Sequence, residues 1–315
     1  MGFKLFWTDP NLAEQGHKVY RDTSTMDPNS LPTEIADLAA DVVEYDDADN
    51  ALVDSTTYYY RVSAYVTGTE KVSDEVTLTA DDSSDEIAGD ALFYYLMDAI
   101  TGTTITDDLG LNDATIVNGA SQVTFGSTGY ALQFNGTNQM VALPHVKTAG
   151  STYPQLTVGC WFRTSAGQNQ ILISFDRSEF YRMEIGGESG GNSRPYLGVS
   201  VATDQGVFDM AGVSDVVDGE WHLAVMSFDA GVVSLYLDGF LENSYNTGGT
   251  AIGDHPESVN EDRYGFLGVG SEASTFNGST GPDYWFAGDM TKAFELYRAM
   301  APEEIAAMYN RGPEI

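Results

Sequence analysis

Asp218-Gly219-Glu220-Trp221-His222-Leu223-Ala224-Val225-Met226-Ser227-Phe228-Asp229 begins the stretch on which the reading of this chain turns, and Ala230-Gly231-Val232-Val233-Ser234-Leu235-Tyr236-Leu237-Asp238-Gly239 completes it. From Trp221 the side chains alternate with period two. Trp221, Leu223 and Val225 fall on one face and His222, Ala224 and Met226 on the other. Both faces are largely apolar, which predicts a strand buried on both sides, with Trp221 and Leu235 in the core. Asp229-Ala230-Gly231 turns the chain. Val233, Leu235 and Leu237 then alternate with Ser234, Tyr236 and Asp238, giving a second strand with one wetter face. Asp218-Gly219 and Asp238-Gly239 are turn dipeptides, the latter of the kind that needs positive φ.

Working outward, the flanking segments read as further strands. Leu92–Met97 comes first, then Tyr130-Ala131-Leu132-Gln133-Phe134-Asn135-Gly136-Thr137-Asn138 and Leu156-Thr157-Val158-Gly159-Cys160-Trp161-Phe162-Arg163. Ile171–Phe175, Tyr181–Ile185 and Tyr196–Val201 precede the hairpin, and Trp285–Met290 and Phe294–Arg298 follow it. One helix is predicted, over Met300–Tyr309. Pro302 suits its first turn, Glu303 and Glu304 favour its positive end, and Ile305, Met308 and Tyr309 form one face. Ala301 stands where a capping hydroxyl would help, an omission that costs about 1 kcal/mol. The order of these patterns resembles laminin G-like domains, jelly-roll sandwiches of the concanavalin A-like class. The resemblance rests on the Asp-Gly/Trp-His hairpin, the Ala-Leu-x-Phe strand with its turn, and the closing strand and helix.

Residues 1–80 read as short strands separated by turn clusters: Leu5–Trp7, Gly16–Arg21, Val42–Tyr45, Thr57–Val66 and Val72–Leu78. Tyr58, Tyr60, Val62 and Ala64 share a face. The Leu-x-Trp strand, the Gly-His-Lys-Val-Tyr-Arg strand and the Thr-x-Tyr strand resemble a fibronectin type III-like sandwich, which implies Tyr58 as its corner tyrosine and Trp7 as its core tryptophan. That family has a strand before the Leu-x-Trp one, and here only Met1-Gly2-Phe3-Lys4 precedes it. The expected organisation is therefore a type III-like module at 1–80, a polar acidic linker at 81–90 and a laminin G-like module at 91–315, all-β except for the short helix.

Composition narrows the function. The net charge is −33, with 5 basic and 20 acidic groups (−15) in residues 1–90 and 9 and 27 (−18) in the rest. This argues against nucleic acid and anionic membranes as partners. No apolar run reaches the roughly 18–20 residues of a membrane span, and the opening residues do not read as a signal peptide. The single Cys160 reads as a buried hydrophobe.

The glucanases of the resembled class carry catalytic carboxylates in a Glu-x-Asp-x-x-Glu strand. Glu179, Glu184 and Glu188 lack that spacing. The four histidines show no zinc pattern. The resemblance implies a calcium site at Asp176, Glu272 and Asn277, and Asp107, Asp108 and Asp113 form a second acidic turn. Asn135 and Asn138, and Thr291-Lys292, stand where the family has acidic residues. For a glycan, Phe276, Asn277, Asp283 and Tyr284 combine aromatic faces with polar groups in one irregular segment. The pairing of two such modules in one acidic chain resembles surface proteins of tailed bacteriophages, made in the host cytoplasm without export. The resemblance implies a non-enzymatic virion-surface protein. Its N-terminal module would dock to other capsid or tail proteins through the edge at Phe3, Leu5 and Trp7. The second module would present a face to host glycans, in a homo-oligomeric assembly. A decoration or cement protein without a ligand and a glycan hydrolase are the alternatives.

Overall fold

The computed structural model describes residues 3–7, 14–47, 52, 56–80, 87, 91–125, 129–187, 195–256 and 261–312. Thr8-Asp9-Pro10, all of the 81–90 linker but Ile87, and the Gly-, Ser- and Asn-rich run 188–194 lie outside the described residues. The chain divides into two compact units, Met1–Glu86 with Asn310–Ile315, and Ile87–Tyr309. Both are built from antiparallel strands, and no described helix is long and apolar enough to cross a membrane.

In the first unit Phe3–Phe6 pairs with Glu44–Asp47 as a two-stranded sheet. The second sheet runs Ala36–Ala39, Gly16–Asp22, Thr56–Val66 and Thr69–Val72, with Val76–Ala80 also on Thr56–Val66. Between them lie Leu5, Val19, Leu52, Tyr58 and Tyr60, with Trp7, Tyr45 and Val62 packed alongside. Leu5 and Trp7 thus point into the core, while Phe6 between them is 44% exposed. Asp47 is buried and fully engaged, accepting hydrogen bonds from Arg21 Nη1 at 2.9 Å and from the Tyr60 hydroxyl at 2.7 Å.

The second unit is a two-sheet sandwich. One sheet has nine strands in the order Gly206–Asp215, Tyr196–Thr203, Tyr181–Ile185, Gln170–Ser174, Arg263–Leu267, Met140–Lys147, Ala114–Val117, Thr104–Ile105 and Ile100–Thr101. The other runs Ser121–Phe125, Gly129–Asn135, Ala287–Leu296, Gln155–Arg163, Trp221–Asp229, Val232–Leu237 and Phe240–Asn246, with Ala91–Tyr95 also paired to Ala287–Leu296. The quoted hairpin forms as its periodicity requires. Ala224, Met226, Val233, Leu235 and Leu237 enter the core between the sheets, beside the buried Cys160. Leu223, Val225 and Tyr236 face the other way. Asp238 and Gly239 take φ of 52° and 81°, the left-handed pair that a two-residue hairpin turn demands.

The outward faces of this hairpin are covered by the helix Pro302–Asn310. Ile305 and Met308 are buried against Trp161, Leu223, Val225, Phe294 and Leu296, and Tyr309 stacks on Trp161 at 5.7 Å. Ile87 is buried in the same cluster. The missing hydroxyl cap is half replaced. Glu304 accepts the Ala301 N–H at 2.6 Å, reaching back as the acidic member of a capping box does, and is itself held by Arg298 at 2.8 Å. Trp221 departs from expectation. It is only half-buried at the margin of this cluster, with Phe125 edge-on at 4.5 Å. Truncating it therefore costs less than the full burial of a core tryptophan.

A charged contact crosses the core. Lys147 on the nine-stranded sheet and Glu295 on the other are both fully buried, with Nζ 2.5 Å from Oε1. The Tyr181 hydroxyl donates to the second carboxylate oxygen. Rings of Tyr153, Phe175, Tyr181, Tyr297 and Phe180 surround the ammonium, with centroids between 4.0 and 6.0 Å away. His145 beside them is held neutral, burial and the Lys147 charge pushing its pKa down to about 2. Removing one partner strands a buried charge. Lys147→Ala is expected to cost about 3–5 kcal/mol, whereas Lys147→Met combined with Glu295→Leu recovers most of that loss. Chemical denaturation of the three proteins checks this, and a double variant no more stable than the single one contradicts it.

Candidate functional site

Because antiparallel pairing runs unshifted through five strands at one end of the eight-stranded sheet, residues distant in sequence line up. Ser121 opposes Gln133, Gln133 opposes Asp289, Asp289 opposes Arg163, and Arg163 opposes Trp221. Their strand neighbours Leu132, Phe134, Phe162 and Met290 belong to the core. By alternation this row points outward, beyond the area that the helix covers. Ser121, Gln133, Asp289 and Arg163 of this row form the floor of a cleft of about 410 Å³, completed by Asn135, Gln139, Thr164, Ser165, Gly219 and Gly288.

The floor is locked. Asp289 has an almost wholly buried side chain (8% exposed) and accepts from Arg163 Nη2 at 2.5 Å and Nε at 3.2 Å, while its other oxygen accepts from Gln133 Nε2 at 3.2 Å. The Arg163 guanidinium lies over the Trp221 ring, 5.0 Å from its centroid. Behind the row, Thr164 donates to the Ala287 carbonyl at 2.7 Å, and Gln170 bridges Ala166 O and Ala287 N. Gly288 has no alternative there, since a Cβ would sit 2.1 Å from the Arg163 carbonyl oxygen.

A buried histidine holds the loop that carries Gly219 and Trp221. His222 Nδ1 lies 2.8 Å from Asp238 and Nε2 3.2 Å from Asp218, while Asp238 also accepts the Leu223 N–H at 2.9 Å. Burial opposes charge on the ring, but the hydrogen bonds and charges of Asp238 and Asp218 outweigh it and raise the pKa above its ordinary value. The motif's Trp-His and two Asp-Gly turns are thus one device tying both ends of the hairpin together.

The residues singled out from sequence fall elsewhere. Phe276, Asn277, Asp283 and Tyr284 do not line the cleft. Their segment lies over the outer face of the nine-stranded sheet, against Met140, Ala142, Phe266 and Val269, held by bridges at Tyr264–Ala273 and Ser271–Thr280. Phe276 is 45% exposed and edge-on to Tyr264, Asp283 accepts from Thr280, and Tyr284 is half-buried. The residues suggested for calcium are not gathered. Asp176 is taken by Arg263 Nε at 2.9 Å, whereas Glu272 and Asn277 are exposed on the covering segment. In the other acidic turn, Asp107 already accepts the N–H groups of Tyr94, Leu109, Leu111 and Asn112. Among the described residues no group of three or more His, Cys, Asp and Glu side chains is arranged to hold a metal ion.

Glu179 joins Asp176 on the same arginine, with Nη2 at 2.9 Å. Burial pushes Glu179 up to about 8, and hydrogen bonding to Asp176 and its charge add to the rise against the pull of Arg263. Two carboxyl groups in hydrogen-bond contact cannot flank a glycosidic bond, which needs a separation of about 5 Å or more.

The chain matches the family described as the concanavalin A-like lectin/glucanases superfamily over residues 135–306. Among solved structures it is similar to the binding domain of Paraclostridial Mosquitocidal Protein 1, at 11% identity and a TM-score of 0.51, covering 71% of this chain and 52% of that one. It is also similar to a botulinum neurotoxin type C structure whose cell entry is described as dependent on two ganglioside molecules, at 11% identity and a TM-score of 0.49, covering 74% and 53%. The chain thus spans about half the length of these structures, and at such identity the likeness is one of fold. No curated protein matches the chain.

The histidine gives a pH test. A group whose folded pKa is raised stabilises fully below its unfolded value of about 6.5, and that contribution is lost as pH rises through the folded value. The difference in melting temperature between the wild type and His222→Gln is expected to be largest near pH 5.5 and to shrink above neutrality. A difference that grows with pH contradicts the assignment.

Proposed function

The chain belongs to the concanavalin A-like lectin/glucanases superfamily, and from that premise we propose that the cleft binds carbohydrate without cleaving it. The observation that carries this is the fixed polar row Gln133–Asp289–Arg163 on the floor of a cleft of about 410 Å³, with Trp221 behind Arg163. That volume lies in the range of small-molecule sites, and a sugar is recognised by such fixed donors and acceptors on a rigid sheet. Among the described residues Asp289 is the one carboxylate lining the cleft, and both its oxygens are engaged by Arg163 and Gln133. Glycoside hydrolysis by the usual route calls for two carboxyl groups, one of them an acid or base.

The setting we propose is the surface of a tailed-phage particle. Residues 91–315 would face host glycans, and the type III-like unit would attach to capsid or tail proteins through the two-stranded sheet of Phe3–Phe6 and Glu44–Asp47. An acidity shared by both parts of the chain fits a protein kept soluble at high copy number.

Glycan-array screening followed by calorimetry tests the first proposal. The wild type is expected to bind at least one oligosaccharide and Asp289→Asn to bind it about tenfold more weakly, with no release of reducing ends. Release that Asp289→Asn abolishes would make the protein a hydrolase. Repeating the titration with calcium and with a chelator tests the metal. For the setting, hydrogen exchange at residues 3–6 is expected to slow on assembly into particles; equal protection free and assembled rejects attachment there.

A further inference from the structure

We infer that the cleft is selective for a sugar bearing a carboxylate, a reading that rests on the carbohydrate-binding proposal above. The argument begins with the donors of Arg163. A guanidinium carries five N–H groups in a fixed fork. Asp289 takes the Nε–H and one Nη2–H through a single oxygen. The remaining three make no hydrogen bond to the described residues, and the side chain is 42% exposed into the cleft.

Those three donors are held in place from two sides. Asp289 is itself fixed by Gln133, and Trp221 supports the guanidinium plane with its ring, braced in turn by Phe125. Holding a long side chain still is the usual cost of an exposed arginine contact, and here that cost is met before any ligand arrives. Asp289 is no competitor for these donors, because both its oxygens are occupied and turned to the floor. The fork therefore presents three further N–H donors that no described residue accepts. A planar carboxylate, all acceptor, fits that edge through charge-assisted hydrogen bonds, which are roughly twice as strong as the neutral ones a hydroxyl forms. The chain's net charge of −33 does not prevent this. At 0.15 M salt the screening length is about 8 Å, so a ligand on the fork responds mainly to the groups that touch it. A uronic acid and a sialic acid both supply such a carboxylate, and the chemistry of recognition is the same.

The experiment uses the full chain at 0.15 M NaCl. Uronic-acid and sialylated oligosaccharides are titrated in parallel with their carboxyl-reduced, neutral counterparts. At least one acidic probe is expected to bind tenfold or more tightly than its reduced form, and which series does so identifies the source. Arg163→Gln should bring the acidic probe down to the level of the reduced one. Arg163→Lys, which keeps the charge but loses the fork, should retain only part of the preference and serves as a second variant if the first does not fold. Equal binding of acidic and reduced forms, or a preference that survives Arg163→Gln, overturns the inference while leaving carbohydrate binding intact. Absence of binding to any glycan overturns both.

Discussion

The sandwich depends on a buried pair of opposite charges that cannot be satisfied unless both sheets are in register. Lys147 and Glu295 lie 148 residues apart and meet at 2.5 Å with no exposure to water. A one-residue slip of either strand would turn its charged group to the opposite face. The partner would remain as an isolated ion among aromatic rings, at a cost of several kcal/mol. The pair is weak evidence for stability and stronger evidence for uniqueness, since it penalises the nearest alternative packings. The rings around Lys147 and the hydroxyl of Tyr181 recover part of the desolvation cost, so the contact is tolerated in a core that is otherwise apolar.

Register also makes the cleft. On the strand Ala287–Leu296, Glu295 and Asp289 both answer to a partner set by strand pairing, one across the core and one along the outer face. The helix decides where that outer face stays open. It buries Leu223, Val225 and Trp161, and its cover thins at Trp221, where the apolar surface gives way to the polar row. His222, on the same strand, fastens the adjacent turns to each other. Fold determinant and site are thus parts of one stretch, and a change meant for one will be felt by the other.

The hairpin was legible because alternation states plainly which side chains share a face, and Ala224, Met226 and Leu235 lie where period two puts them. The helix was legible for the same reason, with Ile305 and Met308 buried as expected. Alternation does not say how far a face is covered, so Trp221 was read as core although it stands at an open rim. The cleft was not legible at all. Gln133 and Asp289 are 156 residues apart and Arg163 and Asp289 are 126 apart, and only strand pairing brings them together. Irregular segments rich in aromatic and polar residues drew attention instead. The segment that carries Phe276 and Tyr284 covers the nine-stranded sheet. An acidic turn is ambiguous in the same way, since Asp107 reads as a cation ligand in sequence and in the fold accepts four backbone N–H groups.

Cys160 offers a consequence of a different sort. It is the chain's single thiol, it has no exposure, and it sits in the core between the sheets, where burial pushes its pKa up. In the native protein it is shielded from alkylating reagents both sterically and chemically. A thiol reagent added to this protein therefore records a single event, the opening of the sandwich. The labelling rate gives the free energy of that opening without denaturant and without an engineered probe. The measurement remains possible on a protein embedded in a larger assembly, provided its other components lack reactive cysteines. The same burial bars Cys160 as a site for attaching fluorophores to the folded protein, so a reporter must be introduced elsewhere.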